Sequence, residues 1–179
     1  SQGYAATRIE PIARAACVST ATLYAYFPSK DHLFGAVIEE AAQDFSEQME
    51  CVRMTEGSAR EILTSFALAY ARFMGDPFVR SVFRLVMAER PRFREVAMGF
   101  FNKGRSDFGH PLILALGTLV ERGELRVAKA SWAAGQLMGM VEHPVFFMPL
   151  VTGDEVQSER TPEQIASEAV ETFLARYGT

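Results

Sequence analysis

Residues 3–34 read GYAATRIEPIARAACVSTATLYAYFPSKDHLF, and the spacing of apolar, small and hydroxyl residues in this stretch decides the fold. A short helix from Glu10 is expected to turn Ile12, Ala13 and Ala16 inward and to break at Cys17-Val18. Ser19 is placed to cap a second short helix running through Tyr26, because a hydroxyl ahead of the first turn takes up a backbone N–H that lacks an intrahelical partner. On that second helix Leu23 and Phe27 lie four apart on one face, and Thr20 and Tyr24 four apart on another. The first face reads as core. The second is small, polar and aromatic, the composition of a surface laid against a duplex. Two short helices, a tight turn and a following helix make the helix-turn-helix arrangement, whose second helix enters the major groove.

Outward from this stretch the pattern stays helical. Apolar residues recur at three- and four-residue intervals, as in Ile62, Phe66, Tyr70, Phe73 and Met74, and no alternating Val/Ile/Thr run marks a strand. The fold class expected is all-α. Pro28-Ser29 precedes a long helix from Lys30 to about Arg53, with Ser29 as its cap. A helix over about 59–74 follows, and Asp76-Pro77 opens the next, Pro77 standing at the first helical position, where a missing N–H costs nothing. Pro91 interrupts. The stretch around Gly104, Gly109 and Pro111 reads either as one helix kinked near Pro111 or as two. A helix from Ala130 to about Phe147, a long loop over Met148–Arg160, and a final helix from Pro162 to Tyr177 complete the chain. Thr161 and Gln164 stand at the two positions of a capping box for that last helix.

The 179 residues are 49% hydrophobic and 22% charged, with a formal charge of −4. That balance excludes wholesale disorder and a uniformly basic nucleic-acid coat, and leaves room for a local basic face. Cys17 and Cys51 are too few for a disulfide framework, and no Cys/His spacing fits a zinc finger. No apolar run reaches the roughly 18 residues of a membrane span and no signal-peptide pattern opens the chain. The expected setting is therefore the cytoplasm, without membrane association.

The string IEPIARAACVSTATLYAYFPSKDHLF resembles the DNA-binding signature of TetR/AcrR-type transcriptional regulators. It carries that signature in IARAACVS (12–19), TLYAYF (22–27) and SK (29–30). Cys17 stands where the family usually has glycine; a β-carbon in a left-handed position there implies a strain of about 1 kcal/mol. The resemblance also implies a first helix ahead of Gly3-Tyr4 that this chain lacks, and hence apolar exposure around Ile12, Ala16 and Leu23. Domain boundaries of 1–45 for DNA binding and 46–179 for effector binding and dimerisation follow.

Chemistry and resemblance together assign DNA contacts. Lys30, in the first turn of the long helix, suits a phosphate. Tyr24 and Tyr26 have hydroxyls to donate to phosphate oxygens. Ser19, Thr20, Ala21 and Thr22 are candidates for base edges, and Thr7 and Arg8 for backbone or groove contacts. Each has a plainer alternative: Ser19 as a cap only, Thr22 as packing, Tyr26 as part of the core, Lys30 as a solvated cation. Residues 1–34 hold three cations against two carboxylates, so charge adds little. Glu39, Glu40, Asp44, Glu47 and Glu50 on the long helix are expected to point away from DNA.

The remainder, through FRLVMAERPRFREVAMGFF (83–101), LVERGELRV (119–127) and WAAGQLMGMV (132–141), resembles the AefR-like C-terminal domain. That resemblance implies a ligand chamber in each subunit and a homodimer through the last two long helices. Phe66, Tyr70, Phe73, Phe83, Met87, Phe101, Phe108, Trp132 and Met138 offer large, adaptable surface suited to an apolar pocket, with His143 as its polar candidate. Small residues Ala134, Gly135, Gly139, Ala166 and Ala169, with Phe173, are candidates for the dimer interface. Residues 80–105 carry seven cations against two carboxylates, which suits either an anionic effector or a solvated face paired with acidic helices.

The function expected is a ligand-responsive regulator, a repressor released from a palindromic double-stranded operator by a small apolar or amphipathic effector. The alternative is a helical binding protein that has lost DNA recognition. Nothing supports an enzyme: there is no Gly-rich phosphate loop and no Glu-x-x-His pair, and His32, His110 and His143 lie far apart. No cofactor or metal is expected.

Overall fold

The computed structural model describes residues 3–50 and 56–179, without the side chains of residues 3 and 48–50. Its helices are α1 (Gly3–Ala6), α2 (Ile9–Ala15), α3 (Thr20–Tyr26), α4 (Lys30–Glu50), α5 (Ala59–Met74), α6 (Pro77–Glu89), α7 (Arg94–Gly104), α8 (His110–Glu121), α9 (Ala130–Glu142), α10 (Met148–Thr152) and α11 (Pro162–Tyr177). Among the described residues there is no strand, only an isolated bridge between Leu125 and Gly178 that ties the turn after α8 to the end of α11. The expected extension of α4 to Arg53, Cys51 and the Glu50 side chain lie outside what is described.

Local chemistry sets the helix ends. Ser58 and Glu61 form a reciprocal capping box on α5, and Thr161 and Gln164 another on α11. The Asp76 side chain accepts from the Phe78 N–H ahead of Pro77. The Ser29 hydroxyl accepts from the His32 N–H at 3.2 Å, so it caps α4 as expected.

Proline explains the two places where the ladder widens. Pro111 and Pro149 lack an N–H, and their rings crowd the carbonyls four residues back, Asp107 and Val145. Each carbonyl sits in a π-turn: Arg105–Gly109, where the His110 N–H reaches back to Arg105 O, and His143–Phe147, where Met148 reaches His143 O. The stretch around Pro111 is therefore two helices joined in line by a π-turn. The loop expected over Met148–Arg160 is a correction: Met148–Thr152 is helical, ending at Gly153 with φ +66°.

Two cores form. A small one joins Ile9 and Ala13 of α2, Leu23 of α3 and Leu33 of α4, with Ile12 and Phe27 against it. The large one centres on α5, whose Leu63, Phe66, Ala67, Tyr70 and Phe73 meet α11, α9, α8 and α6. Helix α4 serves both, because Leu33 faces the first while Phe34, Ile38, Ala41 and Phe45 face the second. The exposure expected at Leu23 is not seen, since Leu33 and Ile9 cover it; Ile12 is half-buried. Ala16 is exposed, in keeping with the exposure expected around it and not turned inward as the helix pattern suggests, because α2 ends one residue before it.

Candidate nucleic-acid interface and ligand chamber

The turn that presents α3 is a Schellman motif. Val18 N–H donates to Ala13 O at 3.0 Å and Cys17 N–H to Arg14 O at 3.1 Å. Cys17 is the left-handed residue of that motif, φ +57°, and is exposed. Ser19 then caps α3: its hydroxyl accepts from the Thr22 N–H at 3.0 Å and lies 2.8 Å from the Thr22 hydroxyl. Those two hydroxyls are thus turned on each other and on the helix end. Thr20, Ala21, Tyr24 and Tyr26 project to solvent, Tyr24 being 47% and Tyr26 77% exposed, while Leu23 on the opposite face is buried. Tyr26 is no part of the core. Arg8, at the entrance to α2, is exposed, and Thr7 is half-buried.

Lys30 is more engaged than the sequence suggests. Its ammonium donates to the carbonyls of Tyr4 and, at 3.4 Å, of Ala5, and stands 4.3 Å from the Tyr4 ring centre, so it fastens α1 to α4. Tyr4 in turn donates its hydroxyl to Asp31, and Arg92 holds Asp31 through both carboxylate oxygens at 3.0 and 3.1 Å. Phe34 and Phe93 stack at 4.5 Å with Tyr4 edge-on to both. Burial and the Asp31 carboxylate push the Tyr4 hydroxyl up to about 12. The Tyr4 hydroxyl and the Arg92 guanidinium hold the Asp31 carboxyl below its ordinary range. This clasp joins α1 and the start of α4 to the turn between α6 and α7. The sequence reading missed it, because nothing local to Tyr4, Asp31 or Arg92 marks the three as partners.

Helices α6 and α7 form walls of a cavity of about 1030 Å³. Tyr70, Phe83, Phe108 and Met138 line it, with Phe45 of α4 also facing in. Met87, Met98 and Phe101 line it and are exposed, which places its mouth along α6 and α7. Of the expected ligand residues, Tyr70, Phe83, Met87, Phe101, Phe108 and Met138 meet there. Four do not. Phe66 and Phe73 are packed in the core around α5. Trp132 points to solvent from α9, 67% exposed. His143 stacks on Phe147 at 5.6 Å and borders a separate groove between α9 and α11.

The polar residues that do line the cavity are others, chiefly Glu142, Arg90 and Arg105. Glu142 accepts the hydroxyl of the fully buried Tyr70. Burial raises the Glu142 carboxyl, opposed by that hydrogen bond, and burial beside Glu142 drives the Tyr70 hydroxyl well up. The basic run over 80–105 divides by place. Arg80 and Arg84 pair with Asp154 at 2.7 and 2.8 Å, and Lys103 pairs with Asp107. Arg90 and Arg105 have no ion-pair partner among the described residues and stand exposed at the mouth.

The small residues expected at a dimer interface separate likewise. Ala134, Ala166, Ala169 and Phe173 are buried within the subunit, the last three on the face of α11 turned to the core, whereas Gly135 and Gly139 are exposed on α9. Among the described residues no cluster of metal-ligating side chains occurs, and no helix is long and apolar enough to cross a membrane.

An exposed helix-turn-helix and an apolar chamber sharing one long helix define a ligand-responsive DNA-binding transcriptional regulator. The chain belongs to the TetR family of bacterial regulatory proteins: residues 1–37 match that family's model, and residues 61–179 match the C-terminal domain of AefR-like transcriptional repressors. Its members regulate by binding DNA and are not enzymes. A TetR-family transcriptional regulator from Mesorhizobium loti MAFF303099 is similar at a TM-score of 0.84 and 25% identity, over 99% of this chain and 90% of that one. The flavonoid-responsive regulator FrrA is similar at 0.74 and 29%, over 99% and 89%. The regulator FadR from Bacillus subtilis, solved with stearoyl-CoA, shares the fold at 0.72 and 19% identity, over 97% and 90%. No curated protein sequence matches significantly.

Proposed function

We propose that the protein is a cytoplasmic, homodimeric repressor that leaves a palindromic operator when a small apolar or amphipathic effector fills the chamber. Residues 1–45 act as the operator-binding unit and 46–179 as the effector-binding and dimerising unit. The observation that carries this reading is the outward face of α3. Thr20, Ala21, Tyr24 and Tyr26 are exposed there while Leu23 anchors the helix from behind. Hydroxyls and a methyl group suit base edges, and phenols suit phosphate oxygens. Arg8 adds a cation beside them. Ser19 and Thr22 hold the helix end, and Lys30 seats α1, leaving one N–H of its ammonium for a phosphate.

A dimer brings two such helices to successive major-groove faces of a two-fold site. The exposed side of α9 with Trp132 and Gly139 is the face proposed for pairing, since a stable contact needs upwards of about 1,000 Å² of surface, whereas Gly135 lines the chamber. The effector's class draws support from the apolar lining and from the likeness to FrrA, whose name records a flavonoid response. A binding protein without DNA recognition has no observation behind it, because the α3 face is intact.

The test is a gel shift at fixed salt with DNA from upstream of the protein's own gene, paired with light scattering. Replacing Tyr24 and Tyr26 together by alanine is expected to abolish the shift and leave the dimer. An unchanged shift overturns the assigned contacts, and a monomer at micromolar concentration overturns the dimeric model.

A further inference from the structure

The chamber is not uniformly greasy. Its walls are aromatic and sulfur-bearing, its mouth carries Arg90 and Arg105, and two carboxyls line it, those of Glu142 and Asp107. Tyr70 donates to one oxygen of the Glu142 carboxyl and is the only hydrogen-bond partner of Glu142 among the described residues. Glu142 lines the chamber, so its second oxygen is free to meet an occupant. A carboxyl in an apolar cavity with one donor is costly, and an incoming donor relieves that cost. Resting on the reading of the chamber as the effector site, we infer that Glu142 and Tyr70 form a hydrogen-bond station for a hydroxyl group on an otherwise apolar, uncharged effector.

The charge distribution selects a neutral donor over an ammonium. A cation entering the chamber must pass Arg90 and Arg105, which have no carboxylate partner among the described residues. Asp107, the other carboxylate facing the chamber, pairs with Lys103 at 3.1 Å. A hydroxyl passes without that repulsion, and its apolar body is received by Phe83, Phe108, Met138 and Phe146, which line the same chamber. Helix context fixes the station. Glu142 is the last residue of α9, immediately ahead of the π-turn His143–Phe147, and Tyr70 is held between Phe66, stacked at 5.5 Å, and Phe108 at 6.0 Å.

Calorimetry on the full chain tests this with three probes of one body: 4-phenylphenol, its methyl ether, and the matching trimethylammonium ion. The wild type is expected to bind the phenol about tenfold or more tighter than the ether, the scale of one hydrogen bond to a carboxylate. In Glu142→Leu the two are expected to bind within about twofold of each other, because the acceptor is gone and the apolar walls remain. Tyr70→Phe, which keeps the Glu142 acceptor and frees its first oxygen as well, is expected to retain or widen the wild-type preference, and loss of the preference there overturns the station; this arm carries the test if Glu142→Leu fails to fold by circular dichroism. Equal binding of phenol and ether by the wild type overturns the station and leaves the chamber as the effector site. So does a preference that survives Glu142→Leu. Tightest binding of the ammonium ion, lost in Glu142→Leu, overturns it in favour of a cation site. Failure of every probe to bind the wild type overturns the station together with the effector reading.

Discussion

At Cys17 a single β-carbon sits in the left-handed region, φ +57°, inside the Schellman motif that ends α2 and aims α3. The two backbone bonds of that motif hold the residue there against its own preference, which for a non-glycine residue costs on the order of 1 kcal/mol. Glycine adopts the same angles freely, although the unfolded chain then has more entropy to lose. Cys17→Gly is therefore expected to raise stability by about 0.5–1 kcal/mol in urea denaturation; a lower midpoint would show that the turn is unstrained. The identity of this position was legible from the resemblance alone. Lys30 was not: proximity in sequence placed it at a helix N-terminus, but only folding brings the carbonyls of α1 to its ammonium.

Among the elements, the π-turn His143–Phe147 and α10 depend on two arginines that lie far away in sequence. Pro149 cannot donate to the Val145 carbonyl; Arg80 does so instead at 3.3 Å and also reaches Gly75 O at 2.5 Å. Arg84 serves the carbonyls of Pro149 at 2.8 Å and Leu150 at 3.3 Å. Asp154 neutralises both guanidiniums, and they hold its carboxyl below the ordinary range, Arg84 chiefly. Arg80 is only 3% exposed, so removing its carboxylate leaves a buried charge poorly compensated. Asp154→Ala is expected to cost about 3 kcal/mol, read as a fall in the urea midpoint, with faster amide exchange in 148–154. A loss below about 1 kcal/mol would mean that the carbonyls suffice to hold Arg80. The prolines marked breaks correctly, yet they did not say that the breaks would be π-turns, because widening instead of ending a helix depends on what packs around it.

On the scale of the whole molecule, α4 and the Tyr4–Asp31–Arg92 clasp both link the DNA-binding end to the chamber walls among the described residues. Helix α4 carries Leu33 in the small core and Phe45 in the chamber wall. The clasp hangs from the turn between α6 and α7, the helices that form the mouth. An effector that favours one spacing of these walls favours one setting of the headpiece, and the coupling must be reciprocal. The clasp has a definite pH window. Asp31 has a lowered folded pKa, so its contribution is present above the ordinary carboxylate range and is lost as pH falls through the folded value. Tyr4 has a folded pKa raised to about 12, so its contribution is complete below about 10 and is lost as pH rises toward 12. Tyr4→Phe is expected to flatten that alkaline loss relative to the wild type in urea midpoints measured between about pH 10 and 12. Parallel curves for the two proteins would remove Tyr4 from the clasp.

Periodicity, caps and prolines are local properties, carried by residues within a few positions of one another. For that reason most of the helices, the Ser19, Ser29 and Thr161 caps, and the exposed face of α3 followed from the chain read in order. The chamber lining followed only in part. Helical spacing identifies an inward face but does not say whether that face meets another helix or a cavity, so Phe66 and Phe73 went to the core beside Tyr70 on the same helix. Trp132 went to the surface and Glu142 to the interior, against their hydrophobic ranking, because the packing of α9 between α5, α8 and α11 decides which of its sides is covered. Tertiary contact alone brought Tyr4 to Arg92, Arg80 to Asp154 and Tyr70 to Glu142. These are partners 72 to 88 positions apart, whose attraction has no trace in local pattern.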